Sequence, residues 1–158
     1  MIVLDEQVVV DRGPAEVFDH LIDLSRYPQW HPAIESARWT TDRQASAGAP
    51  LRLVVRVPPR RVDVDGEIVR AQRPELLEVR STSGPIRGHI TCELVSERRG
   101  RRTRLAFHVE LQPTGLLRFV ERVMADRLRA EMPATLAQLR ARLEAGIPVG
   151  PPSPSGKR

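Results

Sequence analysis

From Ile34 to Gln112 the chain reads as six extended runs separated by turn signals, with no helical pattern inside. Residues 116–144 then read as one long amphipathic segment. This order constrains the fold more than any single motif does. Six consecutive strands joined by short turns make an antiparallel sheet. A helix of about 44 Å, at 1.5 Å per residue, is long enough to lie across it.

The turns imply a register. If Val57 and Val62 flank a turn over Pro58 to Arg61, Val55 faces Val64 and Leu53 faces Gly66, while Arg56 lies opposite Asp63 and Arg52 opposite Glu67. Around Arg99-Gly100, Leu94 meets Leu105, Cys92 meets Phe107 and Ile90 meets Val109. Around Gly84-Pro85, Val79 meets Ile90 and Leu77 meets Cys92. One face is apolar and the other charged, as in a sheet covered on one side. Leu116, Leu117, Val120, Val123, Met124, Leu128, Met132, Leu136, Leu139 and Leu143 form the stripe expected to cover it. Pro133 should kink or break that helix near residues 129–132. A curved sheet around a bent helix leaves space between them, and a pocket of roughly 300–1,000 Å³ is expected there.

Ahead of the sheet, residues 2–11 alternate loosely as a strand. Ala15, Phe18, Leu21 and Ile22 have helical spacing, with Pro14 in the first turn, where its missing N–H is no loss, and Glu16 beside it. A second helical turn closes on Tyr27-Pro-Gln-Trp-His-Pro32.

The stretch Val8–Pro32, VVVDRGPAEVFDHLIDLSRYPQWHP, the strand order and the segment GLLRFVERVMADRLRAEM together resemble the START-like, helix-grip proteins of the SRPBCC superfamily. Within it they are most similar to the polyketide cyclase/dehydrase and lipid-transport type, over roughly residues 1–145. The resemblance implies an α+β helix-grip fold: a curved antiparallel sheet of about seven strands, in the order β-α-α-β6-α, wrapped around a long C-terminal helix with an internal cavity. It implies a protein that binds a small hydrophobic ligand of lipid, quinone or aromatic polyketide type. An alternative is an aromatase/cyclase or dehydrase working in the same cavity. YPQWHP also resembles the Tyr-Pro-x-aromatic-x-Pro stretch of the coenzyme-Q-binding and ribosome-associated branch, a second alternative. On this fold, alternation selects Phe18, Trp30, Val55, Val64, Val79, Ile90, Phe107, Val109, Leu117, Val120, Met124 and Leu128 as the ligand-binding wall. The loop after Gln112, with Gly115 as pivot, is the expected gate.

Catalysis would need polar groups in that wall. Aromatase/cyclases of the superfamily carry an arginine with nearby hydroxyls inside the cavity, to steady an oxyanion. The inward phase here is Val62, Val64, Gly66 and Ile68, which Arg70 would continue; Arg38, Ser81 and His31 are the other options. Trp30 has two readings, cavity mouth or core plug, and His31 has two, ligand donor or solvent-facing turn residue. Asp63, Asp65 and Glu67, about 7 Å apart along one strand face, read as surface partners of Arg52 and Arg56 rather than an acid/base or metal site. The arginines of SERRGRRTR and the Arg60-Arg61 turn read as solvated tips, because no aromatics interleave with them.

His20 sits in the first helix, and His89 and His108 are expected on the outward face. No two histidines have ligand spacing, so no metal is expected. Cys92 is expected to be buried beside Phe107. No cofactor motif occurs.

At 158 residues with a formal charge of +5, the chain suits one domain over residues 1–145, followed by a disordered Pro/Gly/Ser-rich tail over 146–158. No apolar run approaches the ~18 residues of a membrane span. The early carboxylates Asp5 and Glu6 do not suit a signal peptide, and a single cysteine excludes an internal disulfide. A cytoplasmic location is expected. Every basic residue except Lys157 is arginine, a compositional bias that does not by itself call for a nucleic-acid partner.

Overall fold

A computed structural model describes residues 1–145; the expected tail disorder lies outside the described residues. Strand β1 (Ile2–Val10) leads to helix α1 (Pro14–Ile22), which starts with Pro14 at its first position. Gly13 precedes it because a Cβ there would lie 2.8 Å from the Gly100 carbonyl oxygen. A 3₁₀ turn, Leu24–Arg26, with the Asp23 side chain accepting from the Ser25 N–H, runs into the short helix α2 (Tyr27–Trp30). Six strands follow: β2 (Ile34–Trp39), β3 (Pro50–Val57), β4 (Arg60–Gln72), β5 (Leu76–Ser83), β6 (Ile86–Glu97) and β7 (Arg102–Pro113). A 3₁₀ segment, Gly115–Val120, then opens helix α3 (Glu121–Glu144).

The seven strands form one antiparallel sheet in the order β1-β7-β6-β5-β4-β3-β2. Five strand-to-strand joins are consecutive, and β1 closes the other edge beside β7. The pairings around the last two hairpins follow the sequence expectation, with Val79 opposite Ile90, Leu77 opposite Cys92 and Cys92 opposite Phe107.

The β3–β4 hairpin differs. Its turn is the two residues Pro58-Pro59, so Val57 pairs with Arg60, Val55 with Val62, Leu53 with Val64 and Leu51 with Gly66. The register moves by two residues, which changes every partner and leaves every face unchanged, because side chains alternate with period two. Arg52 therefore meets Asp65, at 2.7 Å, rather than Glu67. Glu67 pairs with Arg80 instead, at 2.6 Å.

Two expectations about the C-terminal segment need correction. Helix α3 runs unbroken through Pro133, whose exposed position points the ring to solvent. The stripe is also narrower than the sequence suggested: Leu116, Val120 and Val123 are exposed, and burial begins at Ala125 and continues through Met132, Leu136, Leu139 and Leu143. The helix packs chiefly along β1 and against α2, with Glu121 held at Met1 and Glu144 at Asp11.

Candidate functional site: the concave face of the sheet

The apolar side chains of the sheet point to the side covered by the helices, but the cover is incomplete. Ile68, Leu77, Cys92, Leu94, Leu105, Phe107 and Val109 are buried there. Leu53, Val79, Ile90 and Leu111 share their face, yet remain only half-buried, as do Met124 and Leu128 of α3. Physically, a sheet wider than the helix lying on it leaves apolar surface that the helix cannot reach. Among the residues selected from sequence, Phe18, Trp30, Val64, Phe107 and Val109 are buried, and Val55, Val79, Ile90, Leu117, Met124 and Leu128 are intermediate. Val120 is 39% exposed, which places it at the rim rather than in the wall.

The α1–α2 module forms one end of this face, and its polar atoms are unusual. Both ring nitrogens of His20, Nε1 of Trp30 and Nδ1 of His31 are buried without a hydrogen-bond partner in the protein. Buried polar groups are normally paired, so four such atoms in one short module is a concentrated exception. Tyr27, Trp30 and His31 form a short aromatic run, with ring centroids 5.0 Å and 5.6 Å apart. The Tyr27 hydroxyl donates to the Leu21 carbonyl at 2.8 Å, which ties α2 to α1. Burial raises the Tyr27 pKa, as does the neighbouring Cys92 thiol, so both groups stay neutral. Burial pushes Cys92 itself up to about 12. Burial lowers His20 to about 4, helped by Arg26 and Arg142, and lowers His31 against the opposing pull of Glu131. Both imidazoles are therefore neutral near pH 7, each ring offering one donor and one acceptor.

The arginine candidates lie elsewhere. A bulge between Ile68 and Arg70 inserts Val69, so Ala71 takes the inward phase opposite Leu77 and Arg70 turns outward. There its Nε donates to Glu78 Oε1 at 2.6 Å. Arg38 is exposed and pairs across the strands with Arg52 on the outer face. Ser81 keeps the inward phase, and its Oγ accepts from the Gly88 N–H at 2.8 Å, which leaves its O–H to donate.

On the outer face the charges form a chain. Glu78 also contacts His89 Nε2 at 2.5 Å, His89 Nδ1 lies 3.6 Å from Glu110, and His108 Nδ1 contacts Asp5 at 2.5 Å. This is the surface pairing expected of that side, with His89 and His108 outward. Among the described residues no group of three His, Cys, Asp or Glu could hold a metal ion, and no helix is long and apolar enough to cross a membrane.

Sequence reasoning passed over His20, Tyr27, Trp39 and Glu6. His20 follows Val17 by three residues and precedes Leu24 by four, so it lies on the apolar helical face. Trp39 pairs with the inward Leu51, and Glu6 lies opposite Phe107. Both could have been found by extending the inward alternation to the two edge strands.

A curled seven-stranded antiparallel sheet closed by a long C-terminal helix defines the helix-grip class. Within that class the chain belongs to the family described as polyketide cyclase / dehydrase and lipid transport, whose model matches residues 1–144. A START superfamily protein from Mycobacterium smegmatis is 18% identical, with a TM-score of 0.72 over 92% of this chain and 99% of its own. A protein from Thermus thermophilus is 16% identical, with a TM-score of 0.74 over 92% and 99%. The Zhui aromatase/cyclase from a Streptomyces species is 16% identical, with a TM-score of 0.69 over 93% and 98%. These likenesses establish the shared fold. No curated protein matches the chain in sequence.

Proposed function

We propose that this protein holds a small hydrophobic molecule, of lipid, quinone or aromatic polyketide type, between the concave sheet face and α3, and does so as a cytoplasmic carrier. The observation that carries the reading is the incompletely covered apolar face, Leu53, Val79, Ile90, Leu111, Met124 and Leu128, bounded by buried polar atoms that lack partners. The wall is completed by Phe18, Val55, Val64, Phe107, Val109 and Leu117, with Val120 at its rim. Binding rests on apolar burial, at about 25 cal/mol per Å² before ordering costs. The Trp30 N–H and the His31 ring orient the ligand through a carbonyl or hydroxyl group. Family membership supports the ligand class. The cyclase alternative loses Arg38 and Arg70 as oxyanion groups, since both face outward.

Native mass spectrometry tests this after incubation with menadione, palmitate and the anthraquinone emodin. The expected result is a one-to-one adduct with at least one of the three, lost on denaturation. Trp30→Phe keeps the fold and weakens that adduct about threefold to tenfold, the worth of one hydrogen bond. If none of the three is retained, the carrier reading fails.

A further inference from the structure

Where β7 ends and α3 begins, the large apolar side chains face water. Leu116 is 79% exposed, Phe119 74% and Val123 66%. Residues three and four apart share one side of a helix, so these three form a row along the 3₁₀ segment and the first turn of α3. Beyond it, α3 exposes what a surface helix normally exposes: Asp126, Arg127, Arg129, Gln138 and Arg140. The apolar exposure is thus local, and such a patch marks an interaction site more often than chance packing.

The charges around the row are mainly positive, Asp126 beyond Val123 being the exposed carboxylate. The Arg118 guanidinium lies 5.3 Å over the Phe119 ring, and Arg122 is exposed in the next turn. Glu121 is the sole carboxylate among residues 115–125, and it accepts from the Met1 amino group at 2.6 Å. Its charge is therefore compensated, and Met1, 66% exposed, adds an apolar side chain at the same place. Gly115, at φ +59° with open space around it, sets the direction in which the row leaves the sheet, a conformation that glycine adopts without strain.

We infer that this row docks the protein on an anionic lipid surface, with Leu116, Phe119 and Val123 in the headgroup–acyl boundary and Arg118 and Arg122 on the phosphates. Charge complementarity selects this occupant. A second copy meeting the row isologously would set arginine against arginine, whereas an anionic bilayer offers the opposite charge and an apolar layer beneath it. The inference is independent of what the concave face holds.

The test is co-sedimentation of the full chain with vesicles of phosphatidylcholine alone and of phosphatidylcholine and phosphatidylglycerol in equal parts. Binding is expected on the mixed vesicles, weak on phosphatidylcholine, and falling as salt rises. Phe119→Ser and Leu116→Ser should each lower the partition coefficient about tenfold, the worth of one buried apolar side chain. Arg118→Glu with Arg122→Glu should lower binding to the mixed vesicles alone. All four positions are exposed, so thermal unfolding should be unchanged. The inference is overturned by no binding to either vesicle, or by binding that Phe119→Ser leaves intact. It is equally overturned if sedimentation velocity finds a dimer that Phe119→Ser abolishes, because a second copy would then cover the row.

Discussion

His20 shows how one side chain can shape the pH behaviour of the whole fold. Only 7% of its surface is exposed, and neither ring nitrogen has a partner. Its folded pKa of about 4 lies below the free value of 6.5, so between those values the unfolded chain binds a proton that the native one refuses. Stability therefore falls on acidification from pH 6.5 toward 4, by up to about 3 kcal/mol. His108 has the opposite sign. Its hydrogen bond to Asp5 raises its pKa, so its small, solvent-screened contribution is present at low pH and lost as pH rises through the raised value. Replacing His20→Leu should flatten the pH dependence of urea unfolding between 6.5 and 4. An unchanged slope would show that other groups set it. At this same scale Arg70 teaches the limit of alternation: one extra residue, Val69, reverses a side chain's face, and no residue type in the strand announces it.

At the scale of elements, close backbone approach decides more than propensity. Gly66 sits where β4 passes β5, and a Cβ there would lie 2.8 Å from the Arg80 carbonyl oxygen. Gly66→Ala should therefore cost about 2 kcal/mol or more, read as a lower urea midpoint with an unchanged slope. The hairpins were legible because Gly84-Pro85 and Arg99-Gly100 leave few ways to join their strands. The β3–β4 turn was not, because its loop length decides the register and Pro58-Pro59-Arg-Arg permits a turn of two or four residues. Helix α3 was legible in position and length. Its continuity through Pro133 was not, because the cost of a lost N–H and a ring clash is outweighed by the buried face on both sides, Met132 and Thr135 to Leu143.

For the molecule as a whole, the proposed ligand site depends on how far α3 covers the sheet. Met124 is half-buried at its edge, so Met124→Trp should fill the space and weaken ligand binding at least tenfold, given the ~1.5–3 kcal/mol at stake in one apolar side chain. Its melting temperature should stay near that of the parent. Val120→Trp at the exposed rim should leave binding nearly intact. Equal effects from the two, in a titration with whichever ligand is retained, would place the ligand elsewhere.

By itself the sequence determined the chain order of the elements, the inward faces of the central strands apart from Arg70, and the helix that closes the sheet. Periodicity and turn chemistry are local, and the chain carries them wherever it goes. Only the tertiary structure decided which of those faces remain uncovered. Leu116, Phe119 and Val123 have the same three-then-four spacing as Leu136, Leu139 and Leu143, yet the first three lie in water and the last three in the core. The difference is which side of the helix packs on the sheet: at about 100° per residue, Val123 lies roughly half a turn round from Leu136, Leu139 and Leu143. Burial belongs to the pair of surfaces, and no single segment encodes it.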